Sequence, residues 1–251
     1  TLKTQMKRTL KSYFSLLFVL LSLLANAQEV AKKTPEIAKK DTVAPVKVNR
    51  YGLRVGVDLF RLSRSFWEKD YRGIEVVGDY RLTKKYYIAG ELGNEDKTVQ
   101  EDYLNFTTKG SYFKVGFDYN MHQNWMNLEN SIYVGMRYGV SSFSQTLNSY
   151  QIYTTNTYFN DSPTVRSGED FKGLTAQWAG VVAGVKTKVI NNIYVGFSFR
   201  INKLFTNKTP DGFDNLYIPG FNRKYSGDFG VGFNYTVSYF IPLYKSTVKV
   251  E

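Results

Sequence analysis

From Phe229 to Ile241 the chain alternates without a break. Phe229, Val231, Phe233, Tyr235, Val237, Tyr239 and Ile241 share one face, and Gly230, Gly232, Asn234, Thr236 and Ser238 share the other. A period of two belongs to a β-strand whose faces meet unlike surroundings. Seven earlier segments follow the same rule, and the pattern predicts strands over 51–62, 71–82, 86–92, 113–120, 132–140, 172–189, 192–203 and 229–241. The sixth is the least regular: Trp178-Ala179-Gly180-Val181-Val182-Ala183 breaks the period, so its facing stays open and a bulge or glycine-permitted bend is expected.

An even strand count returns both ends of the sheet to one side. The links after the second, fourth and sixth strands are short to moderate, and the other links are longer and polar or aromatic. Outer-membrane barrels place short turns and both termini in the periplasm and long loops outside. The pattern therefore predicts an all-β fold, an eight-stranded antiparallel up-and-down transmembrane β-barrel, as one domain over 50–245.

The start of the chain supports that location. Lys7, Arg8 and Lys11 precede an apolar run from Tyr13 to Leu24, which closes on Ala25-Asn26-Ala27. This is the layout of a secretory signal peptide, expected over 1–27 with the mature chain beginning at Gln28. Residues 28–49 hold Lys32-Lys33, Pro35, Lys39-Lys40 and Pro45 without an aromatic, and are expected as a disordered periplasmic arm; 246–251 are expected as a periplasmic tail. The expected location is the outer membrane of a Gram-negative bacterium, with outer-membrane lipid and lipopolysaccharide as neighbours.

Composition narrows the function classes. Mean hydropathy is -0.34 and no apolar run beyond the leader is long enough for a spanning helix, which a barrel does not need because only alternate residues face lipid. The net charge of +11 is concentrated early, with +7 in residues 1–50, so it speaks against nucleic acid as a partner. No cysteine is present, which removes disulfides and thiolate metal sites. His122 is the single histidine and sits in a link beside Trp125, without a Ser, His and Asp constellation that spacing can connect. No catalytic residue, cofactor or metal site is expected.

Two sets of residues remain as candidates. The inward set is Arg54, Asp58, Glu75, Asp79, Arg81, Glu91, Lys114, Asp118, Arg137 and Arg200. A barrel of eight strands has room inside for little but its own side chains, so these are expected to pair as a lumen charge network, with a narrow ion or solute path as the alternative. The loop set is Tyr150, Tyr153, Tyr158, Phe159, Phe213, Leu216, Tyr217, Ile218 and Phe221. Loops this aromatic either fold over one another as a lid or offer a surface to another protein.

Several stretches resemble an uncharacterised family of small outer-membrane β-barrel proteins from Bacteroidota. They are 71–84, Glu91-Leu92-Gly93-Asn94-Glu95, 104–112, and 213–221 followed by Gly230-Val231-Gly232-Phe233-Asn234-Tyr235. The resemblance spans about 50–245 and leaves the leader and arm outside any fixed pattern. It implies fold and location, with no activity or catalytic motif to carry over. The expected function is a non-enzymatic accessory or scaffold subunit that docks its outer loops onto a larger outer-membrane assembly. A stand-alone structural barrel and a narrow channel are the alternatives, followed by a secreted lipocalin-like barrel with its apolar face turned inward.

Overall fold

The computed structural model describes residues 47–122, 129–152, 164–210, 212 and 214–248, with side chains described from Arg50 to Ser246 within that set. Eight strands close a barrel: β1 (Lys47–Asp58), β2 (Tyr71–Arg81), β3 (Tyr86–Gln100), β4 (Leu104–Asn120), β5 (Ser131–Tyr150), β6 (Val165–Ile190), β7 (Ile193–Asn207) and β10 (Phe229–Val248). Each pairs antiparallel with its sequence neighbour, and β10 closes the ring onto β1. Between β7 and β10 lies a small hairpin, β8 (Tyr217–Ile218) and β9 (Asn222–Arg223).

The alternation sets the facing. Val55, Val76, Ile88, Phe117, Met136, Val185, Phe199 and Phe233 all point out of the wall with their side chains exposed, while the inward residues between them are buried or half-buried. This is the inverse of a lipocalin-like ligand barrel, whose outside would be polar. The outward residues also stack across strands: Phe233 faces Phe199 and Tyr235 faces Phe197 in register, with the Phe197 and Tyr235 ring centres 5.1 Å apart. Among the described residues no helix is long and apolar enough to cross a membrane, a statement that has no bearing on a β-barrel.

Four features depart from the sequence reading, and a fifth, the facing of the sixth strand, is one that reading leaves open with a bulge expected. The first strand stops at Asp58, and 59–62 belong to a helix, α1 (Leu59–Trp67), whose first turn Asp58 caps by accepting from the Phe60 amide at 2.9 Å. The strands next to two outer links are far longer than expected: β3 reaches Gln100 and β4 starts at Leu104, and most of the expected third loop, 141–171, is the extended ends of β5 and β6. The barrel begins at Lys47 and ends at Val248, so part of the expected arm and part of the expected tail belong to the wall. In β6 the even residues Leu174, Ala176, Trp178 and Val182 are the inward ones, with register irregularities at Gln177/Trp178 and Lys188/Ile190. Finally, Tyr217, Ile218 and Phe221 are buried, Ile218 and Phe221 completely. The link between β7 and β10 folds into the barrel mouth instead of standing out from it.

Candidate functional site

Among the described residues, chemistry-bearing side chains converge most densely in the lumen, and strand register assembles the cluster. Arg54 on β1 lies opposite Asp79 on β2, and Glu91 on β3 lies opposite Lys114 on β4, so each pair is adjacent by construction. Arg54 Nε donates to Asp79 Oδ1 at 2.7 Å, and Lys186 Nζ reaches the other Asp79 oxygen at 2.7 Å. Glu91 is the hub. Its carboxylate accepts from Lys114 Nζ at 2.9 Å, Arg137 Nε at 3.2 Å and Arg200 Nη1 at 2.7 Å. Arg137 also bonds Asp118 at 2.7 Å, and Lys114 bonds Glu75 at 2.8 Å. Buried charges of both signs are tolerable only in such mutual contact.

Towards the end away from the termini the network continues through residues that the alternation did not single out. Arg61 on α1 turns into the barrel, lies 3.2 Å from Glu75 and 3.5 Å from Asp58, and bonds Glu95 on β3. Glu95 also accepts from the Tyr71 hydroxyl at 2.5 Å and from the Gly220 amide at 2.7 Å, which ties the β8–β9 link to the wall. Asn234 bridges Asp58 at 2.6 Å and Glu75 at 2.7 Å. Arg81, expected among the ion pairs, instead donates to the Arg50 carbonyl oxygen at 2.9 Å and lies over the Tyr51 ring. All ten expected inward residues are buried.

An apolar plug sits beside and above these charges. Tyr112, Phe143, Leu174, Ala176, Trp178 and Leu204 come from the wall, and Ile218 and Phe221 from the infolded link. The Trp178 indole faces Gly139 across the β5–β6 pairing, and a Cβ at Gly139 would come within 2.3 Å of that ring. Phe221 meets Trp178 edge to face at 5.8 Å. Gly220, with φ of +80°, lets the link turn against the Tyr112 ring.

Little open space remains inside. Two cavities of about 30 and 10 Å³ share Arg54 and Asp79, and the first is lined further by Glu91, Arg137, Lys186 and Arg200. Such volumes suit a water molecule or so. A larger cavity of about 660 Å³ opens at the rim between the β3–β4 hairpin and the β8–β9 link, lined by Phe106, Tyr217, Lys97 and Lys224 among others. Lys97 and Arg64 both bond Glu68 there, and the Arg64 hydrogen bond holds the Glu68 carboxyl below its ordinary range.

The loop candidates fare differently. Ile218 and Phe221 are not available to a partner, because they fill the plug, and Tyr217 is buried with its hydroxyl donating to Glu95 at 3.3 Å beside the rim cavity. Tyr150 ends β5 half-buried, and Leu216 is exposed. Tyr153, Tyr158, Phe159 and Phe213 lie outside the described residues, as do the leader 1–27 and residues 28–46 of the arm. The His122 amide bonds Asn120 at 3.1 Å. Among the described residues no group of three His, Asp or Glu side chains is arranged to hold a metal ion.

Arg61, Glu95, Lys186 and Arg50 are the lumen charges that alternation missed. Arg61 is hidden by the helix, Glu95 by a stretch polar on both faces, Lys186 by the irregular sixth strand, and Arg50 by its place between the expected arm, which ends at 49, and the expected first strand, which starts at 51.

The family model described as "Domain of unknown function (DUF6048)" matches residues 9–246. The match takes in most of the expected leader and all of the expected arm, so the shared pattern is wider than the barrel stretch that carries the resemblance. No curated protein matches the chain in sequence. Among solved structures it is similar to Ail, the attachment invasion locus protein of Yersinia pestis, at 11% identity and a TM-score of 0.36, covering 82% of this chain and 100% of that one. It is also similar to Neisserial surface protein A (NspA), at 10% identity and a TM-score of 0.37, covering 81% and 99%. A structure of Ail in complex with the heparin analogue sucrose octasulfate gives 13% identity, a TM-score of 0.34, and 80% and 96% coverage.

Proposed function

We propose, for a chain that belongs to this family of unknown function, the role of a non-enzymatic, non-conducting barrel of the Gram-negative outer membrane that serves as an accessory or scaffold subunit of a larger outer-membrane assembly. The observation that carries it is the inversion of the wall. Its outside is apolar and aromatic around the ring, and its inside is closed by ion pairs and a plug. An apolar outside suits lipid, since a closed sheet satisfies its own backbone groups. A filled inside leaves neither a path nor a reaction site, so what remains to act is the surface. Both termini of the wall lie at one end, expected to be periplasmic, and the long hairpins β3–β4 and β5–β6 extend the other, with Tyr103, Ile152 and Tyr225 exposed there.

The partner would be another outer-membrane protein that reads those hairpin tips. The burial of Tyr217, Ile218 and Phe221 favours a second reading, a stand-alone structural barrel whose loops serve its own packing. Mild-detergent purification of the native protein at native expression separates the two: a stable outer-membrane complex supports the subunit, and a lone monomer overturns it. Heat-modifiable migration of the extracted protein tests the membrane reading itself, and stable conductance in planar bilayers would restore the channel.

A further inference from the structure

The barrel wall is incomplete at the end away from the termini. Asp58 of β1 pairs with Thr236, so residues 229–235 of β10 have β7 on one side and, among the described residues, no strand on the other, where Tyr225 alone bridges Phe229. β1 pairs with β2 only at Val76–Tyr80, which leaves 71–75 with β3 alone. Helix α1 occupies that gap. The Ser65 hydroxyl accepts from the Gly73 amide at 2.8 Å and lies 3.2 Å from the Gly73 carbonyl oxygen, standing where a strand partner would be. The Phe60 ring packs 4.7 Å from Phe233, itself part of the outward apolar wall, and 6.3 Å from Tyr235.

Inward, α1 sends Arg61 to the buried carboxylates. Outward, it presents Leu59, Leu62 and Phe66, spaced i, i+3 and i+7, with Trp67 beside them. Phe66 is 79% exposed and Trp67 74%, well above the wall residues they adjoin. Just past the helix, Lys69 and Arg72 are exposed and make no ion pair among the described residues, while Arg64 and Lys97 are engaged by Glu68.

We infer that α1 is an in-plane membrane anchor: Leu59, Phe66 and Trp67 enter the boundary between acyl chains and headgroups of the outer leaflet, and Lys69 and Arg72 meet lipid phosphates. The inference rests on the membrane reading above. Lipid is the occupant because the apolar face continues the wall through Phe60 on Phe233, and because an aromatic face beside free cations is what an interfacial helix needs. The anchor also shields a stretch of sheet edge, and unpaired backbone is poorly tolerated in hydrocarbon.

The test uses the intact chain refolded into phosphatidylcholine vesicles, with or without phosphatidylglycerol. The emission of Trp67 is taken as the difference between the native protein and Trp67→Phe. Bromine placed on the acyl chains near the headgroup is expected to quench this emission by about half, with little quenching by aqueous iodide. A Phe233→Trp variant, read as its emission beyond that of the native protein, should be quenched by bromine deeper in the chain. If that emission is not quenched, the membrane reading itself fails. If it is quenched while Trp67 ignores brominated lipid and is open to iodide, the anchor alone is overturned. Adding phosphatidylglycerol should deepen Trp67 quenching in the native protein and not in the Lys69→Ala, Arg72→Ala double variant; equal quenching with and without it in the native protein would overturn the phosphate contact.

Discussion

The lumen is filled in two different ways, by ion pairs that run from the Glu91 hub up to Arg61 and Glu95, and by rings packed beside and above that hub. In the charged half, every contributor to the Glu91 hub stands on a barrel strand, and two of the pairs, Arg54 with Asp79 and Glu91 with Lys114, are register partners. In the apolar half the wall alone does not fill the space, and Ile218 and Phe221 come in from a link. The first half is specified by register, and a slip of one residue would turn every charge towards lipid. The second depends on a segment that can withdraw. Perturbation should therefore be relieved in the plug more readily than in the charged half.

The largest effect is expected at Glu91. Glu91→Gln leaves Lys114, Arg137 and Arg200 sharing fewer counter-charges in a buried space, and should cost about 3 to 5 kcal/mol in denaturant unfolding from lipid vesicles. Removing Arg200 as well should restore part of that loss, because the charge imbalance shrinks. A loss under about 1 kcal/mol for Glu91→Gln would mean that the network is hydrated like a surface one, and the contrast between the halves would vanish.

Phe221→Ala comes next. It removes the ring that packs on Trp178, and the expected loss is about 3 kcal/mol, the low end for such truncations, because the link can collapse or retreat. Retreat has its own readout: the emission of Trp178, which is fully buried in the native barrel, should shift towards that of a wetter indole. A loss as large as that of Glu91→Gln with unchanged tryptophan emission would show that the plug is as rigid as the wall.

The same contrast explains what could be read from the sequence. Facing was legible wherever the two faces of a strand differ chemically, as in β10 with Phe233 outside and Asn234 inside. It stayed open in β6 because the plug makes the inside apolar too: inward Ala176, Trp178 and Val182 look like outward Val181 and Val185. The outer end of β3 was hidden for the opposite reason, since beyond the apolar wall both of its faces are largely polar and Glu95 carries no contrast with its neighbours. Helix α1 was hidden because Leu59 continues the outward face of the preceding strand; the break after it, with Phe60 and Leu62 on the inward parity and Arg61 on the outward one, and Asp58 as cap before apolar residues at 59, 62 and 66, were the signal for a helix. The inward position of Tyr217, Ile218 and Phe221 had no local signal, because a lid, a plug and a docking surface need the same apolar residues.

The wall supplies a reference for both halves. Phe233 faces outward between Val231 and Tyr235, and Phe233→Arg should cost about 2 to 4 kcal/mol if it lies near the middle of the bilayer. The cost should fall off for outward positions nearer either rim, and the series can be measured by the same unfolding experiment. A flat profile along β10 would place the wall in water, and the two fillings of the lumen would then have to be argued for a soluble barrel.

The smallest effect is expected at the rim beside the termini, where the charged half meets water. Glu129, in the link between β4 and β5, accepts from Arg50 Nε at 3.1 Å and from the Tyr194 hydroxyl at 2.9 Å. Burial by itself would raise its carboxyl, but the hydrogen bonds from Arg50 and Tyr194, together with the positive charges of Arg50 and Arg81, hold it below the ordinary range. A carboxyl lowered in the folded state stabilises the fold above its unfolded value, about 4.3 for glutamate, and that contribution is lost as pH falls through the folded value. Solvent near the rim screens the pair, so Glu129→Gln should cost about 1 kcal/mol at neutral pH. The difference between the variant and the native protein should then shrink as pH drops below the ordinary glutamate range, since both then carry a neutral group at 129. A difference that stays constant through that acid range would assign Glu129 a role in shape rather than charge, and would set the rim apart from the register-built network it adjoins.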